Sequence, residues 1–270
     1  MHDKIILITA GFYLAAVILL YVDVAKGRTQ KHTWAATATL MGVILHGWAQ
    51  SQHWLGTPNA QLSLLNVLSL CALVTVALPL LTLPFKNNIF DASMVTLPFA
   101  IVVLLAEGTM VAPSLSITEN SFDITLHVFS SIVAFGILSI AGIYAVFIAV
   151  IDRLLRQHRF NRLVQTLPAL ETMEHLLFLL ITSGFIVLTF SLVTGLVWVD
   201  DVFGQHLAHK TLLSIFAWLV FAVLLWGRWR RGWRGRVAVR MTLIGIVLLL
   251  LAYFGSKFIL EFVLQRSWHS

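Results

Sequence analysis

The residues best suited to chemistry gather in one stretch, Thr194–Trp218, TGLVWVDDVFGQHLAHKTLLSIFAW. It leaves an apolar segment at Trp198, crosses a short polar connector with Asp200, Asp201, His206, His209 and Lys210, and drops into another apolar segment. Carboxylates, imidazoles and an ammonium so close to a membrane surface, between Trp198 and Trp218, make this connector the expected neighbourhood of a ligand. Other ionisable residues lie within apolar runs: His46, Glu107, His127, Lys257 and Glu261. Such groups are costly in hydrocarbon and by default mark a site. A buried imidazole commonly ligates a metal ion or haem iron. His127 is the strongest metal-ligand candidate, because Ser130, Ser131, Ala134 and Gly136 follow it and let another helix approach closely.

The elements that must position these residues are membrane helices. Hydrophobic residues make up 59% of the 270 and charged residues 11%, with a mean hydropathy of +0.90. A soluble domain is about 25% charged, so this chain reads as an integral-membrane protein. Eight runs approach the roughly 20 residues needed to cross a bilayer: Ile5–Val24, Thr33–Gln50, Ser63–Thr82, Ser93–Ala112, Ile124–Ile151, Leu176–Val199, Thr211–Gly227 and Val239–Leu264. Pro98, Glu107 and Gly108 interrupt the fourth. The runs lack the alternation of barrel strands, so the expected fold is all-α, a polytopic transmembrane helical bundle of about eight spans. It is expected to form a single integral-membrane domain over residues 1–270. The first run reads as a span and not a cleaved signal, because its cations Lys26, Arg28 and Lys31 follow the apolar core.

Cation placement sets the expected orientation. Fourteen of the eighteen Lys and Arg residues fall in alternate connectors, leaving Lys4, Lys210, Lys257 and Arg266. The positive-inside bias puts those basic connectors in the cytoplasm and both termini outside. The bacterial inner membrane, crossed several times, is the expected location. The basic stretch GRWRRGWRGR at Gly227–Arg236 directly follows a span. It reads as a topology anchor with interfacial aromatics and anionic-lipid contacts, not as a nucleic-acid patch. The stretch Asp152–Leu177 reads as a short amphipathic cytoplasmic helix, a break at Pro168 and the start of the sixth span. Cys71 alone excludes an internal disulfide and a Cys-x-x-Cys haem attachment.

On this topology the membrane-depth groups all fall in the outer part, where several helices can build a pocket open to the outside. Structural readings stand beside the functional one. His46 is either an interfacial imidazole beside Trp48 or a ligand. Glu107 and Lys257 are either an internal ion pair or pocket groups. Lys257 and Glu261, four apart, can satisfy each other on one helix face. His206 and His209 sit in a wet connector, where a solvated histidine costs nothing.

Several segments carry a family resemblance: SLLNVLSL at Ser63–Leu70, LHVFSSIVAFGILSIAGIYAVFIAVID at Leu126–Asp152, LETMEHLLF at Leu170–Phe178 and TGLVW at Thr194–Trp198. HKTLLSIFAWLVFAVLLWGRWRRGWRGR at His209–Arg236 and LAYFGSKF at Leu251–Phe258 continue it. From about residue 60 onward the chain resembles the cytochrome c assembly membrane-protein family, which includes CcsA and HemX-like proteins. WRGR followed by AYFGS resembles its short YpjD-like inner-membrane branch. Haem-handling members carry a tryptophan-rich outer segment ending in Asp-Pro-Lys-Glu, flanked by haem-ligating histidines. By that resemblance His127 matches one flanking histidine and Lys210 the motif lysine. Leu207, Ala208, His209 and Thr211 stand where Trp, Asp, Pro and Glu belong, Trp226 replaces a membrane histidine, and the region of Lys257 and Phe258 lacks the later one. The resemblance therefore implies a non-enzymatic protein that binds or handles haem at the outer face, in cytochrome maturation or regulation of haem synthesis. His127, His46, His206 and His209 would supply nitrogen, Trp198 an indole for the macrocycle, and Lys210 or Lys257 a propionate contact. Glu107, Asp200, Asp201 and Glu261 would complete the pocket. Expected partners are the lipid bilayer, haem and cytochrome-maturation or other membrane proteins, with no nucleic acid. Two readings of other classes remain open: a metal or ion transporter using Glu107, His46 and His127, and a non-catalytic scaffold or accessory subunit docking through the acidic connector.

Overall fold

The structure, a computed structural model, describes residues 2–26, 32–55, 60–61, 64–85, 89–109, 116–117, 122–157, 169–198 and 208–255. Eight α-helices dominate these residues: α1 His2–Ala25, α2 Thr33–Leu55, α3 Leu64–Leu81 and α4 Ser93–Thr109, then α5 Phe122–Arg156, α6 Leu170–Trp198, α7 Ala208–Arg231 and α8 Arg236–Leu250. A π-helical turn, Leu251–Gly255, extends α8. The only strands among the described residues form a two-residue antiparallel ladder, β1 Ala60–Gln61 against β2 Ser116–Ile117, with Ala60 opposite Ile117.

Six of these helical stretches are long and apolar enough to cross a bilayer: Lys4–Ala25, Phe90–Thr109, Thr125–Arg156, Leu170–Val197, Lys210–Arg231 and Arg236–Phe254. α3 is apolar but shorter. α2 has the length, 23 residues, but its threonines, histidines and glutamines keep it out of this apolar set. Helix boundaries depart from the sequence expectation in several places. α6 begins at Leu170, about a turn and a half before Leu176, and α5 runs on to Arg156 past Ile151. Charged, long-chained residues (Arg153, Arg156, Glu171) are good helix formers, so the helices continue beyond their apolar cores. The fourth helix is continuous through Pro98, as the third is through Pro79, which membrane helices tolerate where neighbouring groups satisfy the freed backbone. The amphipathic stretch expected around Arg159, like the last part of the eighth span, lies outside the described residues.

The helices form two compact units, α1–α4 and α5–α8. In the first, α1 packs on α2 and α4, and α3 packs on the same two helices, closing a four-helix ring. Its core holds Ile6, Tyr13, Ala16, Ala72, Val76, Leu97 and Leu104. In the second, α5 lies along α6 and α8, and α7 packs on the same two. Small residues (Ala134, Ala141 and Ala145 on α5, Ala217 on α7, Ala238 on α8) are fully buried, letting backbones approach. Large apolar side chains point outward instead, among them Leu7, Trp34, Ile44, Ile186 and Val197. A soluble protein rarely exposes so much contiguous apolar surface, and here lipid covers it.

One close approach fixes the first unit. The Tyr13 ring lies directly over Gly42, where a Cβ would overlap ring carbons Cε1 and Cδ1. Glycine is therefore required on α2 for the fully buried tyrosine to fit. Gly42→Ala should lower stability by roughly 1–3 kcal/mol, the usual cost of overpacking. Thermal unfolding of the detergent-solubilised protein reads this as a reduced midpoint, and an unchanged midpoint would show that Tyr13 can move aside.

Candidate functional site

His127 stands near the start of α5 and reaches across to α6. Its Nδ1 lies 2.9 Å from the Ser191 backbone carbonyl and 3.3 Å from Thr194 Oγ1. A carbonyl only accepts, so Nδ1 carries the hydrogen and donates it. Nε2 then keeps its lone pair, and it has no hydrogen-bond partner among the described residues. This is how ligating histidines are commonly held: one nitrogen fixed by a carbonyl, the other presented. Gly195 makes the approach feasible, since a Cβ there would sit 2.6 Å from His127 Cε1. Around the imidazole, Ser130 and Ser131 donate to the His127 carbonyl at 3.0 and 2.7 Å. Ser131 and Ser191 share a 2.6 Å hydrogen bond, and Tyr253 donates to the Ser131 carbonyl at 3.1 Å. Deeper in the same unit, Trp218 of α7 stacks on Phe185 with ring centres 5.4 Å apart and donates to Thr189 at 2.8 Å.

The first unit holds a different arrangement. His46 is fully buried, with Nδ1 3.1 Å from the Tyr13 hydroxyl and Nε2 2.9 Å from Ser69 Oγ. Ser69 donates to Glu107 Oε2 at 2.6 Å. Gln50 Nε2 donates to Ser69 at 2.7 Å and to Glu107 Oε1 at 3.1 Å. With Glu107 as a carboxylate, every hydrogen in this chain is assigned. Ser69 has one hydrogen and gives it to the carboxylate, so His46 must donate Nε2–H to Ser69 and accept from Tyr13 at Nδ1. The chain runs in one direction through four helices: Tyr13 on α1, His46 on α2, Ser69 on α3, Glu107 on α4. Gln50 Oε1 is buried without a hydrogen-bond partner among the described residues.

The structure thus brings His46 and Glu107 together in one unit, linked through Ser69, and places His127 in the other. His46 is not the interfacial imidazole that its neighbour Trp48 suggests: Trp48 is exposed while the histidine is buried. Both its nitrogens are engaged inside the protein, and neither is left for a ligand. Lys210 lies half-buried in the first turn of α7. Trp198 ends α6 and His209 stands in the first turn of α7, their side chains outside the described set. Asp200, Asp201, His206, Lys257 and Glu261 lie outside the described residues. Sequence reasoning passed over Tyr13, Gln50, Ser69, Ser191 and Thr194. Gln50 was legible in principle, four residues after His46 and so on the same helix face. The others are single polar groups in apolar runs, where many serines and threonines bond only to their own helix.

Apolar helices grouped in two four-helix units, with ionisable groups joined across helices, define a multi-pass helical membrane protein. The chain belongs to the cytochrome c assembly protein family, whose family model matches residues 34–264. It is 32% identical over 263 residues to the inner membrane protein YpjD of Escherichia coli (strain K12), covering 93% of this chain and 98% of that relative. An uncharacterized 28.8 kDa protein of Azospirillum brasilense is 28% identical over 240 residues, with 84% and 87% covered. The cytochrome c biogenesis protein CcsA of Prochlorococcus marinus matches a shorter part, 33% identical over 91 residues, or 33% of this chain and 29% of that one. No solved structure matches the chain. The protein is a multi-pass protein of the bacterial inner membrane.

Ser69 is the joint of the buried chain, so removing its hydroxyl breaks its hydrogen bonds to His46, Gln50 and Glu107 at once. Ser69→Ala should cost roughly 1–3 kcal/mol, the penalty for leaving the buried His46 Nε2–H without its acceptor, while Glu107 keeps Gln50 as a donor. Ser69→Thr keeps the hydroxyl and should retain most of the stability. Equal unfolding midpoints for the alanine and threonine variants would contradict the assigned hydrogen-bond order.

Proposed function

We propose that this protein binds or handles haem at the outer, periplasmic face of the inner membrane, in a non-enzymatic role that supports cytochrome maturation or regulates haem synthesis. The observation that carries this reading is His127, whose Nδ1–H is fixed by the Ser191 carbonyl while Nε2 remains available. That donor geometry fits an iron ligand. Bound haem would supply an iron centre that takes a nitrogen ligand and two anionic propionates. In this reading His127 would hold the iron, Trp198 would pack against the macrocycle, and Lys210 or Lys257 would meet a propionate. His206 or His209 adds a second nitrogen if the connector folds over the pocket, with Asp200, Asp201 and Glu261 at its rim. His46 and Glu107 enter as the buried hydrogen-bond chain of the first unit and not as iron ligands. Membership in the cytochrome c assembly family, and the likeness to a relative named as a cytochrome c biogenesis protein, support the haem reading.

The accompanying topology is eight spans with both termini outside, all within one integral-membrane domain. It is supported by the charge alternation and by the second unit, where the end of α5, the start of α6, the end of α7 and the start of α8 meet at one arginine-rich end. A reporter fused after Trp233 should read cytoplasmic and one at Ser270 external. Reporters that agree with each other would break the eight-span count.

Haem itself is tested by an absorption spectrum of protein expressed with ample haem. The wild type should show a Soret band, and His127→Ala should weaken or shift it, while His175→Ala, at the basic end of α6, leaves it unchanged. A colourless wild type that also fails to take up added haem ends the haem reading.

A further inference from the structure

At the basic end of the second unit, α5, α6 and α8 enclose an open cavity of about 570 Å³. Four arginines line it, Arg153 and Arg156 from α5 and Arg236 and Arg240 from α8, against two carboxylates. Both carboxylates are occupied. Asp152 accepts from Arg156 Nε at 3.0 Å and from Arg236 Nε at 3.2 Å, so one carboxylate serves two guanidiniums. Glu174 accepts the Gly235 N–H at 2.9 Å, at the start of α8. Arg153 and Arg240 have no ion-pair partner among the described residues. The cavity therefore keeps a net charge of two positives. Its apolar lining runs from the buried Ile148 and Val239 to Leu170 and the exposed Ala149.

We propose that this cavity is a binding site for the phosphate of an anionic phospholipid, held by Arg153 and Arg240 with its acyl chains running along the apolar wall. Charge complementarity favours a phosphodiester, which guanidinium groups recognise through paired N–H donors. The join of a cationic rim to an apolar floor favours a lipid over a free ion, because basic pockets between membrane helices take anionic head groups. The site lies at the opposite end of α5 from His127 and does not depend on haem binding.

The test uses the full-length protein in detergent, titrated with phosphatidylglycerol, phosphatidylcholine or inorganic phosphate, with binding read by native mass spectrometry and by the shift in unfolding midpoint. Wild type should retain phosphatidylglycerol over phosphatidylcholine. The double variant Arg153→Gln/Arg240→Gln should bind it on the order of tenfold more weakly, as expected for losing two charges near a head group. Arg230→Gln/Arg231→Gln removes the same charge from α7 residues that do not line the cavity, and should bind as wild type does. If the double variant fails to fold, each single variant should still show a weakening of about threefold or more. Equal loss in both double variants would reduce the effect to general surface charge. Full stabilisation by inorganic phosphate alone would make this a free-anion site, and unaltered binding by the cavity variants would overturn the proposal.

Discussion

Hydrocarbon offers a polar group no water, so each one inside the bilayer must find its partner within the protein. That constraint shapes both units. Backbone groups are satisfied by helices, and hydroxyls such as Thr9, Thr39, Thr182 and Thr242 return to carbonyls of their own helix. Other side chains reach across to a neighbouring helix. Those crossings, His127 to Ser191 and His46 to Ser69 and onward to Glu107, tie each ring of helices together. Dispersion between apolar side chains adds to the packing without selecting a register. The polar crossings do select one, because a helix rotated or shifted by one residue would strand a donor in lipid.

The two histidines meet this constraint in opposite ways. His46 gives one nitrogen to a hydroxyl donor and the other to a hydroxyl acceptor, which completes its hydrogen bonding. His127 gives only Nδ1, to a backbone carbonyl with Thr194 close by. The first is an interior strut, and the second is a fixed imidazole with capacity to spare. Both sit near polar groups of similar type, so residue identity alone does not separate them. Their difference arises from which groups the neighbouring helices bring to each ring nitrogen.

Much of the architecture was legible in the sequence for this reason. Runs such as Ile5–Val24 and Leu176–Val199 carry enough apolar residues to announce helices, and the structure supplies them. The small residues after His127 announced a close helix pair, and α5 does lie along α6. The family assignment likewise followed from short motifs on these same helices. The grouping into two four-helix units was not legible, because periodicity records that a helix has a buried face without naming the helix that buries it. Nor was the role of Ser69, one hydroxyl in an apolar run, whose importance depends on His46, Gln50 and Glu107 arriving from three different helices.

The chain from Tyr13 to Glu107 has a further property. Each hydrogen in it is committed to the next acceptor, so the whole array has a sense, like a row of arrows pointing at one carboxylate. The acceptor on α4 thereby dictates which nitrogen of an imidazole on α2 bears its hydrogen, and which way a phenol on α1 must face. Without that acceptor Ser69 would be free to turn away from α4, and the arrows upstream would lose their common direction. Electrical information at the rim of the first unit is in this way written into the orientation of groups in its interior, without any helix having to move.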